Sequence, residues 1–227
     1  MYSNYNVTAI ILAAGSSNRM KGINKMLIPF KNEPLIVHTV RVFHNSPLIQ
    51  SIVLVVSEDI THKFKELFSH NKWGKITSIC VGGKRRQDSV RNGLSKSKNS
   101  KWILIHDGAR PFITESTIQK GLIAAKTTGS AVAAVPLNDT IKEVEGELIT
   151  KTLSRNKLWL IQTPQIFRYE IIKDAHEKII NSTTDDASLV EQSGKNVSVF
   201  MGSYNNIKIT TPDDIKIASS MFQHEIR

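Results

Sequence analysis

Val7-Thr8-Ala9-Ile10-Ile11-Leu12-Ala13-Ala14-Gly15-Ser16-Ser17-Asn18-Arg19-Met20 decides the fold of this 227-residue chain. Val7–Leu12 is a nearly continuous apolar, β-branched run, the pattern of a strand covered on both faces of a sheet. The run then gives way to small residues. These let the backbone come close to a ligand, and the N–H groups of such a turn can cradle phosphate. Arg19 projects a fixed charge into the same space. The spacing is neither G-x-G-x-x-G nor G-x-x-x-x-G-K-[ST], so the dehydrogenase and P-loop readings lose their sequence support.

Working outward, Ile52–Val56, Ile76–Val81, Trp102–His106 and Ala131–Val135 repeat the same apolar pattern. Between them lie helical faces: Leu35, Ile36, Thr39, Val40 and Phe43; Phe64, Leu67 and Phe68; Ile118, Leu122, Ile123 and Ala125. Strand and helix in alternation predict a Rossmann-like α/β fold, a mostly parallel twisted sheet flanked by helices. The alternation breaks after Pro136. Polar and apolar residues roughly alternate around Glu145-Gly146, which predicts a hairpin over 139–156. A two-stranded ribbon is marginal alone, so it needs a surface beyond its own sheet, plausibly a second subunit. Helices at 168–180 and 185–192 and a strand at 197–201 follow. Thr211-Pro212-Asp213-Asp214 opens a last helix, with Thr211 as N-cap and Pro212 at its first position. One domain over 1–227, with 137–158 as an arm, is the economical organisation.

Composition narrows the function. Thirty Lys+Arg against 20 Asp+Glu give a net charge of +10, which points to an anionic partner: nucleic acid, anionic lipid or a phosphorylated small molecule. The single cysteine, Cys80, excludes an internal disulfide and any multi-thiolate metal site; it reads as a small apolar residue at a strand end. No apolar run approaches the ~18–20 residues of a membrane span, and Met1–Asn6 lacks a signal-peptide core, so a cytoplasmic protein is expected.

Lys25 follows Arg19 ahead of Met26-Leu27-Ile28-Pro29-Phe30, and two cations beside a strand-end loop suit a triphosphate. Asp107 closes a predicted buried strand, where open α/β sheets bind ligands. It suits Mg²⁺, a hard ion held by carboxylate and phosphate oxygens, or equally a capping role in the Pro111 turn. His106 reads as packing or a hydrogen bond. Arg110, Arg155 and Lys208 are cations able to grip a phosphate.

The stretch Ala9–Met20, with Lys25 and Pro34-Leu35-Ile36, resembles the sugar-nucleotidyltransferase superfamily. Gly82-Gly83-x-x-Arg86-x-Asp88-Ser89-Val90-x-Asn92-Gly93-Leu94 resembles the cytidine-recognition loop of the 2-C-methyl-D-erythritol 4-phosphate cytidylyltransferase family. His106-Asp107-Gly108-Ala109-Arg110-Pro111-Phe112 resembles its metal-binding strand end. Asp139-Thr140-Ile141-Lys142 and Arg155-Asn156-x-Leu158-Trp159-x-x-Gln162-Thr163-Pro164-Gln165 resemble its arm. Thr184-Asp185-Asp186-Ala187-Ser188 and Asn206-Ile207-Lys208-Ile209-Thr210 resemble its substrate loops. These motifs, in order, cover residues 7 to about 217.

The resemblance implies transfer of CMP from CTP to 2-C-methyl-D-erythritol 4-phosphate, with Mg²⁺, in non-mevalonate isoprenoid synthesis. It implies catalytic roles for Arg19, Lys25, Arg155 and Lys208. CTP binding falls to Ala13, Ala14, Gly15, Ser16, Arg19, Lys25, Gly82, Gly83, Asp88 and Ser89. Substrate binding falls to Asp107, Arg110, Thr140, Arg155, Thr163, Thr184 and Lys208, with Asp107 on the metal. It further implies a homodimer interlocked by the arm, Thr140 and Arg155 acting in the partner's site. Ser17, Asn24 and Met26 stand where Gly, Pro and Gln are common in the family, which bears on the geometry of Lys25. The alternatives are ribitol-5-phosphate cytidylyltransferase, from which Leu158-Trp159 and Thr184–Ser188 point away, and a basic nucleic-acid-binding protein. With 7% aromatics and no RRM, KH or zinc pattern, the latter has only charge behind it.

Overall fold

The computed structural model describes residues 6–15, 24–69, 71–181 and 183–224. Among these the predicted strands form β1 (Val7–Ala13), β4 (Ser51–Val56), β5 (Ile76–Val81), β6 (Trp102–Asp107), β7 (Ser130–Pro136) and β11 (Ser198–Met201). Short strands β2 (Pro29–Phe30) and β3 (Glu33–Pro34) pair with each other. β1 is buried along its whole length and pairs in parallel with β4 on one side and β6 on the other. With β10 (Trp159–Arg168), the sheet runs β11-β7-β10-β6-β1-β4-β5.

Its third member, β10 (Trp159–Arg168), is antiparallel to both β6 and β7, which makes the sheet mixed. The resemblance gives Arg155–Gln165 to the arm, but Trp159–Gln165 belong to this central strand, which no apolar pattern marks because Gln162, Thr163, Pro164 and Gln165 interrupt its run. The ladder to β7 accommodates them by a register shift between Ile161 and Gln165, the kind of irregularity where a strand tolerates proline.

Helices α1 (Leu35–Asn45), α2 (Thr61–Leu67) and α4 (Glu115–Thr128) cover one face; α3 (Arg86–Ser95), α5 (Tyr169–Lys178) and α6 (Asp186–Gln192) cover the other. Alternation along β1 divides its side chains between the two layers. Ala9 and Ile11 meet Ile36, Val40, Phe43 and Ile118, whereas Ile10 and Leu12 share a cluster with Val90, Leu94, Ile172 and Leu189. A continuous apolar strand is therefore what this position requires. The last helix, α7 (Pro212–His224), opens as expected: Thr211 Oγ1 accepts from the Asp214 amide at 3.3 Å.

β8 (Ile141–Glu145) and β9 (Leu148–Leu153) form a separate two-stranded sheet. Gly146 turns it with φ +60°, a left-handed conformation that glycine adopts without strain. The ribbon exposes Val144, Leu148 and Ile149 by 58%, 75% and 64%, so these three have little cover among the described residues. No helix among the described residues is long and apolar enough to cross a membrane.

Candidate active site

The carboxyl ends of β1, β5 and β6 open onto a first cavity of about 480 Å³. Ala14 and Gly15, just past β1, line it with Lys25, Gly83, Ser89, Arg86, Asp107 and Lys208. Ser16, Ser17 and Arg19 lie outside the described residues. Ala13 is buried within β1 and supports the loop from below. Lys25 is itself 9% exposed, on the first turn of a short 3₁₀ segment capped by Asn24, whose side chain accepts from the Met26 amide at 3.1 Å.

The loop after β5 packs too tightly for side chains. A Cβ on Gly82 would fall 2.4 Å from Ala14 Cβ and 2.7 Å from Ser89 Oγ; one on Gly83 would fall 2.3 Å from Asp88 Cβ. The Gly83 amide donates to Ser89 Oγ at 3.1 Å, which ties the loop to α3. Asp88 is turned elsewhere. Its carboxylate accepts from the Arg85 amide, Nε and Nη2, closing the first turn of α3, and it lines neither cavity described here. The Arg85 hydrogen bond lowers its pKa to about 2.

Asp107 ends β6 with its side chain 11% exposed. Lys208 Nζ lies 2.8 Å from Oδ2, Arg110 Nε 3.6 Å from the same oxygen, and Arg86 Nε 3.7 Å from Oδ1. Burial alone would raise the Asp107 pKa, but Lys208, Arg86 and Arg110 outweigh it and hold the group ionised well below the usual carboxylate range. The surrounding loop is pinned: Ile209 N donates to Ala109 O at 2.9 Å, and Arg110 Nη1 to Asn206 O at 2.6 Å. His106, fully buried, contacts Arg110 O through Nε2 at 3.1 Å and packs beside the Phe43 ring, tilted 55° to it. Burial pushes its pKa down to about 4, so it is a neutral packing residue at pH 7, as its sequence context suggested.

A second cavity of about 410 Å³ opens on the other side of Asp107. Arg110, Gln162, Thr163, Gln165, Thr184 and Asp185 line it. Thr163 Oγ1 also accepts from the Asp107 amide at 3.0 Å, so it buttresses the strand end. Arg86, Asp107 and Lys208 line both cavities and form the wall they share. Arg86 is the residue that sequence reasoning quoted but left without a role. Its Nη1 donates to buried Asp186 at 2.6 Å. Gln165 fixes the same turn, accepting from the Asp186 and Ala187 amides and donating to Asp185. Thr140 and Arg155 sit at the exposed base of the ribbon and line neither cavity; the Arg155 guanidinium donates to the Asn138 carbonyl.

Among the described residues no three His, Cys, Asp or Glu side chains cluster as a ready-made metal site. Mg²⁺ needs no such cage: one or two carboxylates plus substrate phosphates hold it. Asp107 suits that role, since it lines both cavities and its carboxylate is held ionised. Among the described residues of the first cavity, Lys25, Lys84, Arg85, Arg86 and Lys208 confront one carboxylate, that of Asp107, an excess of positive charge that matches a polyphosphate.

The family profile described as IspD: 2-C-methyl-D-erythritol 4-phosphate cytidylyltransferase matches residues 7–224. The chain belongs to this cytidylyltransferase family. It is 48% identical over 224 residues to the 2-C-methyl-D-erythritol 4-phosphate cytidylyltransferase of Dehalococcoides mccartyi strain 195, covering 98% of this chain and 99% of that protein. It is 43% identical to the protein of the same name from Bacillus velezensis, covering 95% of each. Among solved structures, 4-diphosphocytidyl-2C-methyl-D-erythritol synthase from Anaerococcus prevotii superimposes with a TM-score of 0.86 at 29% identity, covering 98% of both chains. The Francisella tularensis cytidylyltransferase gives 0.79 at 30% identity, covering 95% of this chain and 99% of that one. These superpositions cover nearly the whole chain, so the sheet belongs to the fold of the cytidylyltransferase structures.

Proposed function

We propose that the chain transfers CMP from CTP to 2-C-methyl-D-erythritol 4-phosphate, releasing pyrophosphate, in isoprenoid precursor synthesis. The observation that carries this reading is the shared wall. Two cavities, each large enough for one substrate, meet at Arg86, Asp107 and Lys208. A phosphate oxygen of the acceptor attacks the α-phosphorus of CTP in line. The bond from that phosphorus to the bridging oxygen breaks, and the electron pair leaves on pyrophosphate. No covalent enzyme intermediate is required, so catalysis is positioning plus stabilisation of charge.

In this reading Gly82, Gly83 and Ser89 hold the cytosine, Ala14 and Gly15 give the phosphates close access to backbone, and Asp88 keeps α3 in place. Lys25, with Arg19, stabilises the transition state and the leaving group. Mg²⁺, held by Asp107 and the phosphates, supplies neutralising charge when bound. Lys208 orients the attacking phosphate; Arg110, Thr163 and Thr184 shape the acceptor cavity. Thr140 and Arg155 act in a partner subunit's site. Their exposure at the base of a ribbon that also exposes Val144, Leu148 and Ile149 supports a homodimer built through 137–158.

Pyrophosphate release from CTP with Mg²⁺ tests the reaction, with 2-C-methyl-D-erythritol 4-phosphate, ribitol 5-phosphate or no acceptor in parallel. Release with the erythritol phosphate alone is expected; release with ribitol phosphate alone overturns the acceptor. Mixing inactive Arg155→Ala and Lys208→Ala proteins tests the arm. Heterodimers regain one intact site if Arg155 acts across the interface, and stay inactive if it acts within its own chain.

A further inference from the structure

Asp186 opens α6 with its side chain 1% exposed, and it lines neither cavity. Arg86 Nη1 donates to its Oδ2 at 2.6 Å, and His176 Nε2, from α5, stands 3.4 Å from its Oδ1. His176 is buried as well, its backbone carbonyl taking a hydrogen bond from Arg91 Nη2 at 2.8 Å. None of the roles given above uses Asp186 or His176. A buried carboxylate is costly unless a charged partner compensates it. Here the compensating cation is the one whose other edge faces the reacting junction, Arg86 Nε standing 3.7 Å from Asp107.

Arg86 is thus stretched between two carboxylates, one in the shared wall and one behind it. The unequal distances show which holds it: a hydrogen bond to Asp186 against a looser approach to Asp107. A guanidinium without Asp186 has Asp107 as its nearest anion. It would turn onto Oδ1, the oxygen it already approaches at 3.7 Å, and close on the carboxylate that lines both cavities.

We propose that Asp186, backed by His176, is a positioning residue for nucleotidyl transfer: it anchors Arg86 so that the guanidinium faces both substrates without closing on Asp107. This rests on the reaction assigned above, and turnover by the unaltered protein controls for that reading. Asp186→Asn keeps the shape and removes the charge. The expected result is a fall in kcat of about tenfold or more, with KM for CTP within about threefold, because the cytosine subsite lies elsewhere.

A merely structural role is separated by a double-mutant cycle with Arg86→Met, followed with labelled CTP over long incubations so that slow turnover registers. If Asp186 acts through Arg86, Asp186→Asn changes kcat less than about twofold once Arg86 is gone. His176→Gln serves where Asp186→Asn fails to fold. It retains a polar side chain beside Asp186 and is expected to lower kcat about threefold, again only while Arg86 is present. Equal losses in both backgrounds overturn the proposal. So does a loss confined to KM for CTP, or unchanged kcat in the folded variants.

Discussion

Asp107→Asn separates the two ways in which the shared wall is charged. The carboxylate stands 2.8 Å from Lys208, 3.6 Å from Arg110 and 3.7 Å from Arg86. At an effective dielectric constant of about 20, each contact contributes a gross attraction of about 4–6 kcal/mol, most of it offset by desolvation. Removing one member of a buried pair costs about 3–5 kcal/mol, because the remaining charges stay uncompensated. Lys208 is 39% exposed and Arg86 28%, so water relieves part of their repulsion and the low end applies. A loss of about 3 kcal/mol lowers Tm by about 6–12 °C in a domain of this size. The assay is thermal unfolding in EDTA at low salt, with and without saturating CTP. Without ligand the variant should melt well below the unaltered protein. With CTP the gap should narrow by at least about half, since the triphosphate supplies the missing anion and no longer faces a carboxylate. Equal melting points without ligand, or a gap that CTP leaves unchanged, would show that the three cations are not held against Asp107 as described.

Lys25→Ala should lower kcat about a hundredfold while CTP affinity, measured by calorimetry, stays within about threefold, the signature of a cation acting on the transition state. Unchanged turnover would mean that another cation, such as Lys21, does that work. Asp88→Asn should flatten the acid limb of stability. The folded pKa of about 2 lies below the unfolded value of about 3.9, so the stabilisation is present above about pH 4 and lost as pH falls towards 2. Stabilities from urea unfolding at about pH 6 and pH 3 should therefore converge in the variant, by a few tenths of a kcal/mol, and added salt should erase the difference. Gly93→Ala would bring a Cβ within 2.6 Å of Ile10 Cγ2 and 3.1 Å of Val55 Cγ2. Overpacking costs about 1–3 kcal/mol, and the gain in helix propensity returns about 1, so a net loss of about 1 kcal/mol in urea unfolding is expected, with kinetic constants unaltered.

How much of this was legible in the chain follows from what each pattern encodes. Continuous β-branched runs such as Val7–Leu12 specify strands covered on both faces, and helical spacing at Leu35–Phe43 specifies a covering layer. These regularities are repeated in local sequence and survive into the fold. β10 was illegible because its residues serve three neighbours at once. Gln162 bonds to Ser203, Thr163 to the Asp107 amide and Gln165 to the α6 turn, so polar side chains occupy positions that a strand pattern reserves for apolar ones. The strand carries second-cavity residues inside the sheet, and its sequence is shaped by them.

The same trade explains why the local pattern singles out Asp107, and the resemblance Lys208, while neither gives Arg86 a role. Asp107 announces itself as an acid at the end of an apolar run. Arg86 lies on a polar helix, 100 residues from Asp186, and no local pattern joins the two. What brings them together is the placement of α3 and α6 on one face of the sheet, a consequence of topology. A charge whose function depends on a buried partner that distant is invisible until the layers are assembled. Arg86 is therefore the residue whose removal best tests whether the two cavities work as one site.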